Sequence, residues 1–184
     1  VPLFDGSDGF LEVETEVSGD ATFPDTRDTT DTAIPDSNPP DLVPDRRVAL
    51  KILHRHLLDD PQVPRRFARE ARILRSLSGE HVARLLAFGQ TSGGDLYTAM
   101  ELLDGPSLDV VAGGAPMEPA RAMRIVCQIC EGLEVAHAAG VVHRDLKPLN
   151  VIVERRDGAD HVRVLDFGMA KILRGELQCS VNAL

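Results

Sequence analysis

Cysteine, long apolar runs and basic excess are what this 184-residue chain has least of. Its three cysteines, Cys127, Cys130 and Cys179, do not make a disulfide framework, and so low a content fits a reducing compartment. No apolar run approaches the roughly 20 residues that a bilayer-crossing helix needs. The N-terminus lacks the basic-then-apolar pattern of a signal peptide. The chain opens on Val1 rather than Met, so an incomplete sequence is expected. Twenty Lys and Arg against 29 Asp and Glu leave a net charge of −9, which offers no broad basic surface for nucleic acid as main partner.

That charge is uneven. Residues 1–45 hold twelve acidic residues and one basic residue, Arg27, a balance of −11, whereas residues 46–184 stand at +2. Half of the twelve prolines also lie in the first 45 residues. The stretch from Pro24 to Pro44 has too little apolar surface to offset the entropy of ordering. An acidic, disordered tail over 1–45 joined to a globular part over 46–184 is expected. Within the tail, Leu11, Val13, Thr15 and Val17 alternate with Glu12, Glu14 and Glu16, a candidate half-exposed strand.

The globular part reads as α+β. Val48 to Leu53 is a buried strand interrupted by one lysine. Asp60-Pro61 signals a helix running to about Leu77. Arg84–Phe88 and Leu96–Leu102 are strands around a Gly93-Gly94 turn. Ser107 is placed to cap a short helix, and Pro119 opens a longer one ending at Gly140. Val151–Val153 and Val162–Leu165 form a hairpin around Asp157-Gly158.

Two residues in these elements are out of place for packing alone. Lys51 stands in an apolar strand and needs water or a partner. Glu70 shares a helical face with Phe67, Leu74 and Leu77. A Lys51–Glu70 pair satisfies both; a solvated lysine and a partly exposed glutamate are the plainer alternative. Further on, Asn150 immediately precedes the first hairpin strand and Asp166 immediately follows the second. Antiparallel pairing places both at the open end, close to Asp145, and hard oxygen ligands of this kind suit Mg²⁺ held together with phosphates.

VALK, the helix glutamate, HRDLKPLN over 143–150 and DFG over 166–168 stand in an order that resembles the eukaryotic-type protein kinases, in particular their bacterial serine/threonine members. The resemblance covers about residues 46–175 and implies a two-lobe kinase fold, ATP and Mg²⁺ as cofactors and a protein Ser/Thr substrate. By that resemblance Lys51 contacts the α- and β-phosphates and pairs with Glu70. Asp145 orients the substrate hydroxyl and accepts its proton, Lys147 neutralises the γ-phosphate, and Asn150 and Asp166 hold Mg²⁺. Arg144 receives a phosphorylated activation loop. Met100 is the gatekeeper, the backbone of Glu101 to Leu103 bonds adenine, and Ala49 and Ile152 sandwich it. Leu74, His143 and Phe167, with Leu85 or Leu86, form an apolar column that holds the active state.

The pattern departs from the family at both ends. No G-x-G-x-x-G occurs before VALK, since Gly6, Gly9 and Gly19 are wrongly spaced, and no A-P-E follows DFG. A truncated domain is therefore expected, lacking the Gly-rich-loop strands and everything after the start of the activation loop. That leaves apolar faces of the 119–140 helix uncovered. A serine/threonine kinase with a cytoplasmic location is the reading adopted. A catalytically inactive pseudokinase or scaffold, and a small-molecule phosphotransferase, are the alternatives. Cys127 and Cys130 are expected to pack in the core, Asp5 to Gly9 is a polar turn, and His54, His56, His81, His137 and His161 lack ligand spacing.

Overall fold

Four antiparallel strands run in the order β1-β2-β4-β3, with β1 at Phe10–Val17, β2 at Arg46–Leu53, β3 at Leu85–Gln90 and β4 at Leu96–Glu101. The computed structural model describes residues 10–17, 46–53, 62–91, 93–113 and 116–167. The remainder of the acidic tail, His54, His56, the Asp60-Pro61 signal, Gly168 and Ser180 lie outside those residues. The alternating Leu/Val/Glu segment forms its strand, and that strand belongs to the sheet. Its register sets Glu12 opposite Lys51 and Glu16 opposite Arg47. β3 runs to Gln90, two residues beyond the expected end, because its ladder with β4 continues up to the turn, where Gly94 takes φ 88°.

Helix α1 spans Val63–Ser76, with Gln62 rather than Asp60 at its cap position. Pro64 sits in the first turn, where its missing N–H costs nothing. Val63, Phe67, Ala71 and Leu74 recur at helical spacing and are all buried. Phe67 meets Phe88 of β3 edge-on, with ring centroids 6.4 Å apart. Removing such a side chain from water stabilises by roughly 1.5–3 kcal/mol. This core continues through Leu85, Val82, Val164 and Phe167 to Ala136, so one apolar mass joins the sheet, α1 and the second half of the fold.

That second half begins with the short helix α2, Leu108–Ala112. Ser107 holds its cap position without a side-chain cap hydrogen bond. Helix α3, Pro119–Ala138, starts on the Glu118 carboxylate, which accepts the N–H groups of Ala120 and Arg121 at 2.9 and 2.7 Å. It ends in a Schellman arrangement. Gly140 N–H bonds His137 O and Val141 N–H bonds Ala136 O, at 2.9 and 2.8 Å. α3 packs Ile125 against Val151 and Val162 of a hairpin, β5 Val151–Arg156 and β6 Ala159–Val164. Both strands are longer than expected. A two-residue turn with positive φ at Asp157 and Gly158 carries the ladder to Arg156–Ala159, the twist that matches antiparallel strands.

Cys127 and Cys130 were expected in the core, and both are exposed. α3 buries the stripe Ile125, Gly132 and Ala136. Met123, Val126, Cys127 and Cys130 follow one another at helical spacing about half a turn away, and Met123 is 64% exposed. As expected, an apolar face of this helix is left open among the described residues.

A polar seam fixes α3 to the hairpin. Arg121 donates to both carboxylate oxygens of Asp160 at 2.7 and 3.1 Å, and Arg155 adds a third bond at 2.8 Å. Gln128 bonds Asp160 O and receives Val162 N–H. The Asp160 side chain is only 8% exposed. Arg121 first, then Arg155, hold its carboxyl below the usual carboxylate range, against the opposing effect of burial. Asp160→Asn is therefore expected to lower stability by about 1–2 kcal/mol at neutral pH, discounted for the exposed arginines. Because the folded-state pKa is depressed, this contribution is complete above about pH 4 and is lost as pH falls through the folded value. Urea unfolding of both proteins at pH 7 and again at low pH measures it, and the two curves should converge in acid.

Candidate active site

The hairpin's ladder ends at Val151 and Val164, and one more backbone bond, Leu165 N–H to Asn150 O at 2.9 Å, prolongs the pairing. Asn150 and Asp166 thus stand side by side at the open end, as the sequence implied. Pro148–Asn150 forms a single 3-10 turn that brings Asn150 back onto Asp145. Its amide donates to Asp145 O at 2.9 Å and, more weakly, to Asp145 Oδ2 at 3.4 Å. The nitrogen is thereby used, and Asn150 Oδ1 is left as an acceptor.

Lys147 reaches Asp145 Oδ2 at 2.9 Å. That hydrogen bond is the largest cause holding the Asp145 carboxyl below its usual value, so it is ionised at neutral pH. Lys51 forms an ion pair with Asp166 Oδ2, also at 2.9 Å, and the two side chains are 6% and 13% exposed. Sequence reasoning gave Lys51 to Glu70 and Asp166 to the metal, and did not foresee this contact. It answers the question posed by a lysine in an apolar strand, since the ammonium ends on a carboxylate. Glu70 stands half-buried on α1 between the buried Phe67 and Leu74.

Asp166 Oδ1 is buried without a hydrogen-bond partner. An orphaned carboxylate oxygen beside a free amide oxygen is a donor set of the kind that suits a hard divalent cation. The residues present therefore fit Mg²⁺. Asp166 and Arg144 both adopt positive φ, 60° and 67°. Such strain in non-glycine residues gathers where the backbone must place a functional group.

His143 is buried at 2% exposure. Its Nε2 lies 2.7 Å from Leu165 O, which requires Nε2 to carry the proton, and Nδ1 then accepts the Asp145 N–H at 3.4 Å. The imidazole ties the Asp145 turn to the Asp166 turn. Its ring centroid lies 4.9 Å from that of Phe167. Phe167 shares a core with Leu74 and Leu85, whereas Leu86 packs on the other side of the sheet with Val48 and Ala99. The apolar column therefore runs through Leu85.

The residues assigned to adenine are also drawn together. Ala49 stands opposite Met100 in the β2–β4 register. A cleft of ≈ 300 Å³ borders Arg47, Leu102, Leu103 and Asp104, and Ile152 bridges Ser107 just beyond. Glu101 behaves differently from its neighbours. Its N–H bonds Arg84 O, and its carboxylate accepts from Arg84 N and Arg163 Nη2. Sequence reasoning missed Arg163, although a charged residue inside the apolar run HVRVLDFG is the signal that singled out Lys51.

Burial is the main cause pushing the His143 pKa below its usual value of 6.5. His143 is expected to stay neutral, as the Nε2–H tautomer, at a pH where exposed histidines titrate. Imidazole ¹⁵N shifts followed from pH 8 to pH 5.5 check this; a half-protonated ring near pH 6.5 contradicts it.

Comparison with known proteins agrees with this geometry. The protein kinase domain model matches residues 43–183. Serine/threonine-protein kinase pkn3 of Myxococcus xanthus is 45% identical over 130 residues, 70% of this chain and 24% of that protein. From the same organism, pkn2 is 38% identical over 139 residues, 76% of this chain and 17% of that protein. The chain therefore spans only a small part of these relatives' length. Among solved structures, the Mycobacterium tuberculosis PknI kinase domain superposes with a TM-score of 0.58 at 29% identity, covering 66% of this chain and 49% of that one. Rad53 1–466 in complex with AMP-PNP superposes with a TM-score of 0.58 at 28% identity, covering 68% and 32%. The hairpin-end carboxylate and amide, the paired lysine and a family match over most of the sequence make one case: this chain belongs to the protein kinase family, on its bacterial serine/threonine branch.

Proposed function

We propose that this chain carries the nucleotide- and metal-binding part of a catalytic domain that transfers the γ-phosphoryl group of ATP to a serine or threonine hydroxyl of a protein. The observation that carries the proposal is the convergence of Lys51, Asp145, Asn150 and Asp166 on one end of the β5–β6 hairpin. The AMP-PNP bound to Rad53 supports an adenine nucleotide as ligand here.

Ala49, Met100, Leu103 and Ile152 would enclose the adenine ring, with the backbone between Glu101 and Leu103 supplying its hydrogen bonds. Lys51 would leave part of its Asp166 contact for the α- and β-phosphates, with Glu70 as a second carboxylate on the side of α1. Asn150 Oδ1 and Asp166 would hold Mg²⁺, which when bound neutralises phosphate charge. Asp145 accepts a hydrogen bond from the substrate hydroxyl and aims its oxygen in line with the γ-phosphorus. As the new O–P bond forms and the bond to the β-phosphate oxygen breaks, ADP departs and the hydroxyl proton passes to Asp145. A carboxyl whose pKa is held low is a weak base, so Asp145 acts mainly by orientation, with proton transfer late. Lys147, already on Asp145, is placed to neutralise the transferring phosphoryl.

The low cysteine content supports a reducing compartment, and with ATP as substrate the cytoplasm is the location proposed. No described helix is long and apolar enough to cross a membrane.

Transfer of labelled γ-phosphate to a serine-containing protein tests the proposal. Asp145→Asn is expected to cut the rate by a factor of about 100 or more while nucleotide binding persists, as for loss of an orienting group. Transfer undiminished by Asp145→Asn removes Asp145 from this role.

A further inference from the structure

Arg163 projects from the middle of β6 and is 7% exposed. Its Nη2 donates to Val82 O at 2.8 Å and to Glu101 Oε1. The same Glu101 oxygen accepts Arg84 N–H at 2.6 Å. Three segments meet there: the approach to β3, the end of β4, and β6. Neither charge points toward the cleft at Leu102 and Leu103.

A second tie lies six residues further along. Val153 N–H bonds Pro106 O at 2.9 Å, and Asp104 N–H reaches Glu154 Oε1 at 3.3 Å. Gly105 passes so close to β5 that a Cβ there would meet Val153 O at 2.6 Å. The span Leu102–Leu103 is therefore held to the β5–β6 hairpin at both ends. The hairpin carries Asn150 and Asp166 at its own end.

We propose that Arg163 is a positioning residue for nucleotide recognition. By fixing Glu101 to β6, it sets the distance between the backbone that bonds the nucleotide base and the hairpin end that takes its phosphates and metal. The proposal rests on the nucleotide reading given above. Desolvating two charges is costly, and a buried ion pair of this kind is weak grounds for stability. Arg163 Nε has no hydrogen-bond partner, so the guanidinium is not placed for the fullest set of bonds. What the pair does accomplish is a single geometry between two segments that are 62 residues apart in sequence. Arg163 touches neither base nor phosphate and acts through Glu101.

The test compares binding of Mg²⁺–ATP with binding of Mg²⁺–tripolyphosphate, which has the phosphates but no base. Both are measured by calorimetry on the full chain and on Arg163→Met, a side chain of similar reach without charge. Arg163→Met is expected to weaken Mg²⁺–ATP by about tenfold or more, as a misplaced contact does, while Mg²⁺–tripolyphosphate stays within about twofold. Arg163→Lys should recover part of the loss. If Arg163→Met does not fold, the double variant Glu101→Leu/Arg163→Met removes the unpaired charge and carries the same comparison. Equal loss of both ligands, or loss of neither, overturns the positioning role. A native chain that binds neither ligand overturns the nucleotide reading itself, a result distinct from either.

Discussion

The bond from Leu165 N–H to Asn150 O, 2.9 Å long, prolongs a hairpin whose register allows no alternative placement of its two flanking residues. A one-residue slip would turn Val151, Val153, Val162 and Val164 out of the core and expose them. All four are buried, two of them completely. The pairing of an amide and a carboxylate at the open end is thus enforced by apolar side chains that take no part in the chemistry. The two-residue turn at Asp157 and Gly158 sets that register from the far end.

Everything polar around this end is arranged against the same constraint. His143 bonds the carbonyl of Leu165 while accepting from Asp145, so the two turns that carry carboxylates cannot drift apart independently. Asn150 holds the backbone and side chain of Asp145. Lys51 arrives from a different sheet and ends on Asp166, tying the four-stranded sheet to the hairpin through charge as Phe67, Leu74 and Phe167 tie them through packing. Only Asp166 Oδ1 among these atoms is buried and unsatisfied. An unpaired buried oxygen is costly, and in this setting a cation removes that cost.

The site was more legible in the sequence than the contacts that support it. Asn150, Asp166 and Asp145 are separated by short, strongly patterned segments, so hairpin geometry alone brings them together. Lys51 was legible as an anomaly, a lysine in an apolar strand, but its contact with Asp166 depends on how the sheet packs over the hairpin, which local pattern does not encode. Arg163 and Glu101 are 62 residues apart and went unread for the same reason. Helix α3 shows the opposite case. Its period was clear, yet its two apolar stripes read alike, and tertiary packing buried Ile125 while leaving Cys127 and Cys130 exposed. The start of α1 shifted to Val63 because Pro64 fits a first turn as well as Pro61 does.

Thermal unfolding of the full chain with and without Mg²⁺–ATP, set beside Asp166→Ala, bears most directly on the claim that the hairpin end and Lys51 form a metal–nucleotide site. At a nucleotide concentration about a hundredfold above the dissociation constant, ligand binding adds about 2.7 kcal/mol of stability. The native chain should therefore unfold several degrees higher, about 2–8 °C, with no such rise in Asp166→Ala. A native transition that ignores Mg²⁺–ATP, or one raised equally in the variant, would contradict the account.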